Sequence, residues 1–112
     1  MSIITISLSL FIPILMSISG LIFIFFPPKK LNSIVGYRTK TSMSSQEAWD
    51  YAQKLRGKTW LILGVIGFIC SYLLLQLLSV SESTIVITII SLQLVVLYSS
   101  YIFVEKSLKK KF

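Results

Sequence analysis

The sequence predicts an all-α membrane protein with three transmembrane helices and a short cytoplasmic amphipathic helix between the first and the second. Two observations lead to this fold class. Of the 112 residues, 54% are hydrophobic and only 13% are charged, whereas an ordinary soluble domain has about 25% charged residues. Charged residues are also absent from residues 1–28, 59–81 and 83–104. Each of these stretches exceeds the ~18 apolar residues that indicate a spanning helix.

The first spanning helix is predicted over about residues 3–26, and Pro27-Pro28 follows it. A helix of this length measures about 36 Å, which is enough to cross a ~30 Å hydrocarbon core. Pro13 lies inside it and removes one backbone hydrogen bond, so a bend is expected there. A secretory signal peptide is the alternative, but the stretch has no basic start and no small-residue cleavage site follows it.

The second and third spanning helices are predicted over about residues 59–79 and 84–104, with a short turn between them that contains Glu82. Small and hydroxyl residues allow helix backbones to approach closely. They recur at helical spacing in both spans and predict the contact faces: Gly64, Gly67 and Ser71 in the second, and Thr84, Thr88 and Ser91 in the third. The amides of Gln76 and Gln93 are expected to find partners away from lipid.

Basic residues are concentrated on one side of the predicted spans. Residues 29–58 contain seven Lys and Arg against two Asp and Glu, and the tail 105–112 contains four basic residues against one acidic residue. Basic segments remain in the cytoplasm, so the N-terminus is predicted outside and the C-terminus inside. Aromatic residues fall near the same boundary, as interface residues do: Phe23, Phe25, Phe26, Trp60, Tyr98, Tyr101 and Phe103.

The cytoplasmic loop 29–58 is predicted to contain an amphipathic helix over about residues 45–56. Ser44 and Glu47 have the S-x-x-E spacing of a capping box, and Gly57 is a candidate helix end. The apolar face contains Trp49, which is expected to dip into the lipid interface. Before this helix, Arg38 has the chemistry to pair with a carboxylate or a lipid phosphate. From the residues alone, Arg38 can be either an anchor to lipid head groups or a contact to a protein.

The same segment resembles the SdpI family of small bacterial membrane proteins, which is named for an immunity protein against a secreted killing peptide. The resemblance covers residues 27–78 and starts at Pro27-Pro28. Its motif residues are Asn32, Gly36, Tyr37, Arg38, Thr39, Glu47, Trp49 and Gly57. It implies one SdpI-like membrane domain over residues 1–112 in the bacterial cell membrane. It also implies contacts of these motif residues with a partner or with lipid, and protection from a membrane-active peptide toxin.

Immunity to a peptide toxin or bacteriocin is therefore the predicted function. The alternative is a membrane-anchored signalling or scaffold protein that recruits a cytoplasmic regulator through the basic loop 29–58, as the family's namesake does with a transcriptional repressor. The expected partners are the lipid bilayer, the toxin, that regulator and a second copy of the chain through the Gly64 and Gly67 face. Nucleic acid is not expected, because the basic residues flank the spans.

Enzyme chemistry is not expected of this sequence. It contains no histidine, so catalysis or metal binding through histidine is excluded. Glu47, Asp50 and Arg38 are the only charged residues near one another that would suit a reaction, and helix capping and ion pairing explain them better. The sequence therefore predicts neither a catalytic site nor a bound cofactor or metal.

Overall fold

The computed structural model describes residues 2–30 and 35–112. Within them it has three α-helices, α1 (Ile3–Phe25), α2 (Gln46–Leu77) and α3 (Glu82–Lys111). Each helix is long and apolar enough to cross a membrane, which confirms the predicted class of an all-α protein with three membrane helices. The 32 residues of α2 correspond to about 48 Å, so α2 is longer than a ~30 Å hydrocarbon core.

Each helix begins after a serine whose hydroxyl accepts a hydrogen bond from the backbone N–H three residues later. These N-cap serines are Ser2, Ser45 and Ser81. The capping box predicted between Ser44 and Glu47 is therefore wrong by one residue. Ser45 accepts from the Ala48 N–H instead, while the Ser44 hydroxyl donates to the Thr41 carbonyl. An extended serine in this position satisfies one of the free N–H groups of a first helical turn.

The predicted short amphipathic helix over 45–56 does not exist as a separate element. It is the first part of α2, which continues through Gly57 into the spanning segment. A Cβ atom at Gly57 would lie 3.0 Å from the Cβ of Phe23 and 3.1 Å from the backbone nitrogen of Ile24. Gly57 therefore allows α1 and α2 to approach closely within a continuous helix, rather than ending one.

The apolar face of this first part of α2 packs against protein. Trp49, Ala48 and Ala52 are fully buried, and Ala52 lies in a cluster with Val104 and Leu108 of α3. The expectation that Trp49 dips into lipid is therefore wrong. The last turns of α3 cover this face at Ala52, because α3 continues to Lys111 through the basic C-terminal tail.

The contact between α1 and α2 depends on glycines in both helices. A Cβ atom at Gly20 would lie 2.5 Å from the backbone nitrogen of Leu61, and one at Gly64 would lie 2.7 Å from the backbone nitrogen of Ser17. Such short distances mean that the two backbones are nearly in contact. The predicted contact face at Gly64 is therefore confirmed, but within the chain α1 occupies it.

The contact face predicted for α3 is wrong, since Thr84, Thr88 and Ser91 are exposed. The buried residues of α3 lie on a different face: Ile85, Ile89, Gln93, Ser100, Val104 and Leu108. Ile85 and Ile89 pack with Leu10 and Leu75 in one cluster. The fit of these larger side chains against the two other helices, rather than small residues, sets the rotation of α3.

A carboxylate joins the first turns of α1 and α3. The Ser2 N–H donates to one oxygen of Glu82 at 2.8 Å, and the Thr5 hydroxyl donates to the other oxygen at 3.1 Å. This end of the bundle lies opposite the end at which α1 finishes, α2 begins and α3 finishes. We call the latter the basic end.

Candidate functional site

Residues 35–45 form the motif loop, which packs onto the basic end directly before α2. Gly36 has a φ of 113°, a left-handed conformation that a side chain would strain. A Cβ atom there would also lie 2.9 Å from Oε1 of Gln53 and 3.2 Å from the ring of Trp49. Glycine is therefore required both for the turn and for the close approach of the loop to α2.

Gln53 of α2 fixes the backbone of Tyr37, the residue after Gly36. The Tyr37 N–H donates to Oε1 of Gln53 at 2.7 Å, and Nε2 of Gln53 donates to the Tyr37 carbonyl at 2.9 Å. Gln53 is fully buried, so these two bonds satisfy an amide that would otherwise be costly to bury. Gln53 was not predicted as a site residue; its spacing of four residues from Trp49, on the same helix face, is the signal that would have indicated it.

Glu105 of α3 receives the side chains of the motif loop. The Tyr37 hydroxyl donates to Oε1 of Glu105 at 2.9 Å, and the Thr39 hydroxyl donates to the same oxygen at 2.5 Å. Burial and the neighbouring carboxylate raise the pKa of the Tyr37 hydroxyl far above its ordinary value. The loop is thus joined to both α2 and α3, through a glutamate that the sequence indicated only as part of the tail charge.

A buried serine holds the turn after Tyr37. The Ser42 hydroxyl accepts from the Thr39 N–H at 2.7 Å and contacts the Tyr37 and Thr39 carbonyls at 3.0 Å. Its side chain is fully buried. This local bonding fixes the direction in which Thr39 approaches Glu105.

An open cavity of about 460 Å³ lies between the motif loop, α2 and α3. We call it the arginine cavity, since two arginines line it. Its lining residues are Gly36, Tyr37, Arg38, Thr39, Arg56, Trp60, Leu97, Ser100, Tyr101 and Val104. The guanidinium carbon of Arg56 lies 3.9 Å from the ring centre of Trp60 and 4.5 Å from that of Phe23. In such cation–π contacts the rings pack against the flat faces of the guanidinium group and hold it in position.

A family model described as the SdpI/YfhL protein family matches residues 29–104. This chain belongs to that family. The match contains the motif loop, the whole of α2 and most of α3. This chain is also similar to the Bacillus subtilis (strain 168) protein named "Uncharacterized protein YfhL". It is 40% identical over 52 residues, which are 46% of this chain and 47% of that protein.

The alignment of this SdpI/YfhL family member with its curated relative thus covers about half the length of each. No solved structure matches the chain. The family membership establishes a membrane protein of SdpI/YfhL type with three candidate spanning helices.

The structure brings together only part of the motif predicted for this SdpI/YfhL protein. Gly36, Tyr37 and Thr39 meet at the loop, and Trp49 lies behind them with its indole N–H donating to the Pro28 carbonyl at 2.7 Å. The other motif residues are placed differently: Arg38 lines the cavity, Glu47 is exposed in the first turn of α2, Gly57 packs on α1, and Asn32 lies outside the described residues.

The groups in this region of the SdpI/YfhL protein suit non-covalent binding. Guanidinium groups, aromatic rings and hydroxyls surround an open volume. Among residues 2–30 and 35–112, no group of three or more Cys, Asp or Glu side chains is arranged to hold a metal ion. Glu105, the carboxylate of this region, is already engaged by two hydroxyls.

Proposed function

We propose that this SdpI/YfhL family protein gives immunity to a membrane-active peptide toxin or bacteriocin. The observation that carries the proposal is the family match over residues 29–104, because the resemblance to the SdpI family implies this activity. The docking of the motif loop onto Gln53 and Glu105 supports it further. A loop fixed to two membrane helices is a preorganised surface, and preorganisation lowers the entropic cost of recognition.

The orientation that we propose places the N-terminus outside and the basic end in the cytoplasm of a bacterial cell. Support comes from the excess of Lys and Arg in residues 29–58 and 105–112. A reporter that is active only outside the cytoplasm, fused at Phe112, should be inactive. The same reporter, fused before Ser2 through a linker that does not itself direct export, should be active. The reverse pattern would contradict this orientation.

Toxin sensitivity of a strain that lacks the gene tests the immunity proposal. We expect the deletion strain to become sensitive to conditioned medium from a peptide-secreting bacterium and wild-type protein to restore growth. Arg38→Ala should restore growth less well than Lys40→Ala, which removes a positive charge from the same loop outside the motif. Immunoblots of membranes must show equal protein levels. Unchanged survival of the deletion strain in conditioned medium from every peptide-secreting bacterium tested would refute immunity.

Recruitment of a cytoplasmic regulator is the second candidate function. The specific observation that favours it is an exposed face on the first part of α2, which presents Asp50, Lys54 and Lys58. Photo-cross-linkers placed at Lys54 and Lys58 should capture a cytoplasmic protein if this function is correct. A cross-linker at Ile69, which is exposed in the spanning part of α2, is the control. Recovery of lipid alone from all three positions would count against recruitment.

A further inference from the structure

We propose that the arginine cavity is a binding site for a phosphate group, with the guanidinium of Arg56 as its principal ligand. Arg38 of the motif loop also lines the cavity and contributes a second positive charge. Guanidinium groups match the geometry of phosphate oxygens, with which they form paired, charge-assisted hydrogen bonds. The inference does not depend on the immunity proposal.

Arg56 has contacts with aromatic rings and no hydrogen-bond acceptor among the described residues. It is partly buried, and its contacts are with the rings of Phe23 and Trp60. Among the residues that the structure describes, none accepts a hydrogen bond from its guanidinium, and no carboxylate forms an ion pair with it. A guanidinium has five N–H donors. Rings that contact its faces leave those in-plane donors for another ligand.

The wall of the arginine cavity is positively charged. Its ten lining residues include two arginines and no Asp or Glu. The nearby Glu105 is not among them, and its carboxylate accepts from Tyr37 and Thr39. For Arg56, which is partly buried and has no carboxylate partner among the described residues, this environment is unfavourable. An anion that enters the cavity would supply the missing negative charge.

The arginine cavity lies at a level of the bundle where aromatic residues are found. Trp60 and Tyr101 line it, and such amphipathic aromatic residues are enriched at the head-group level of a membrane. The Trp60 indole N–H donates to the Ser100 hydroxyl at 3.2 Å, which joins α2 and α3 at the wall of the cavity. A phospholipid head group and a soluble phosphate ion carry the same chemistry to this position. The experiment must therefore separate the two sources.

The test measures ligand-dependent thermal unfolding of the purified full chain in a mild detergent. The ligands are phosphatidylglycerol, inorganic phosphate and, as the control, diacylglycerol with the same acyl chains and no phosphate. We expect a saturable rise in the unfolding temperature with at least one phosphate-containing ligand. Phosphatidylglycerol alone would assign a lipid head group, whereas inorganic phosphate would assign a soluble ion.

Matched variants locate the binding site. Arg56→Gln should weaken the apparent affinity at least about tenfold, since a charge-assisted bidentate contact is lost. Lys58→Gln removes the same charge from an exposed position of α2 outside the cavity and should change it less than about twofold. Arg38→Gln, at an exposed loop position, gives a second test that does not disturb helix packing, and it should weaken binding severalfold. An equal loss in Lys58→Gln, unchanged binding in both arginine variants, or an equal effect of diacylglycerol would overturn the proposal.

Discussion

The side-chain amide of Gln93 donates a hydrogen bond of 2.7 Å to the backbone carbonyl of Ser9. Ser9 lies four residues before Pro13, which has no N–H to donate to that carbonyl. In a membrane an unsatisfied carbonyl costs several kcal/mol, so another group must satisfy it. Gln93 also donates to the Ser71 hydroxyl at 2.9 Å. One side chain of α3 thus satisfies the carbonyl that Pro13 leaves free in α1, and it joins all three helices.

Loss of the Gln93 amide should destabilise the protein. We expect Gln93→Leu to lower the free energy of unfolding by about 1–2 kcal/mol, the range of hydrogen bonds between membrane helices. Gln76 of α2 is exposed, so the expectation that its amide lies away from lipid is wrong. Gln76→Leu is therefore the control and should change the free energy of unfolding by less than about 0.5 kcal/mol. Unfolding in mixed detergent micelles, followed by circular dichroism, measures both.

A double-mutant cycle tests whether Pro13 is the reason for this bond. Pro13→Ala restores an N–H that can donate to the Ser9 carbonyl within α1. The cost of Gln93→Leu should therefore be smaller in the Pro13→Ala background than in the wild type, by about 0.5–1 kcal/mol. An equal cost in both backgrounds would show that Gln93 does not compensate for the proline.

The glycines at the crossing of α1 and α2 should differ sharply in their tolerance of a methyl group. Gly20→Ala would place Cβ 2.5 Å from the backbone nitrogen of Leu61, whereas the nearest atom to a Cβ at Gly67 is the Cβ of Pro13 at 3.8 Å. We expect Gly20→Ala to destabilise the protein by about 2 kcal/mol and Gly67→Ala by less than about 0.5 kcal/mol. Similar unfolding midpoints for the two variants would contradict this helix packing.

The bond between Tyr37 and Glu105 should hold the motif loop in place. Tyr37→Phe removes a hydrogen bond to a charged acceptor and should lower the free energy of unfolding by about 1.5–3 kcal/mol. Tyr98→Phe, at an exposed tyrosine, is the matched control. Hydrogen exchange of the loop amides should accelerate in Tyr37→Phe alone. Unchanged exchange would mean that Gln53 suffices to dock the loop.

The stability that Tyr37 contributes should depend on pH only in alkali. Burial and the Glu105 carboxylate raise the pKa of its hydroxyl in the folded protein well above the ordinary tyrosine value of about 10. A raised folded pKa means that the contribution is complete below the unfolded pKa of about 10 and declines as the pH rises above it. The difference in unfolding free energy between wild type and Tyr37→Phe should be constant from about pH 6 to 9 and fall above about pH 10. A decline already near neutrality would contradict this.

The three membrane helices and the basic end could be predicted from the sequence alone. Uncharged stretches such as residues 83–104 are long enough to span, and transfer from water into lipid depends on composition and length without reference to partners. The close helix contact at Gly64 could also be predicted, because small residues let helix backbones approach wherever they occur.

Only the tertiary structure decided how these helices meet. Gly57 has the same sequence signature as a helix end, yet the contact with α1 keeps α2 continuous. Trp49 has the amphipathic position of a lipid-facing residue, yet it is fully buried, next to Gly36 of the motif loop and bonded to the Pro28 carbonyl. Gln53 and Glu105 belong to the site only because the fold brings them next to Tyr37 of the motif loop. Which groups pair depends on contacts between residues far apart in the chain, and local spacing carries no information about them.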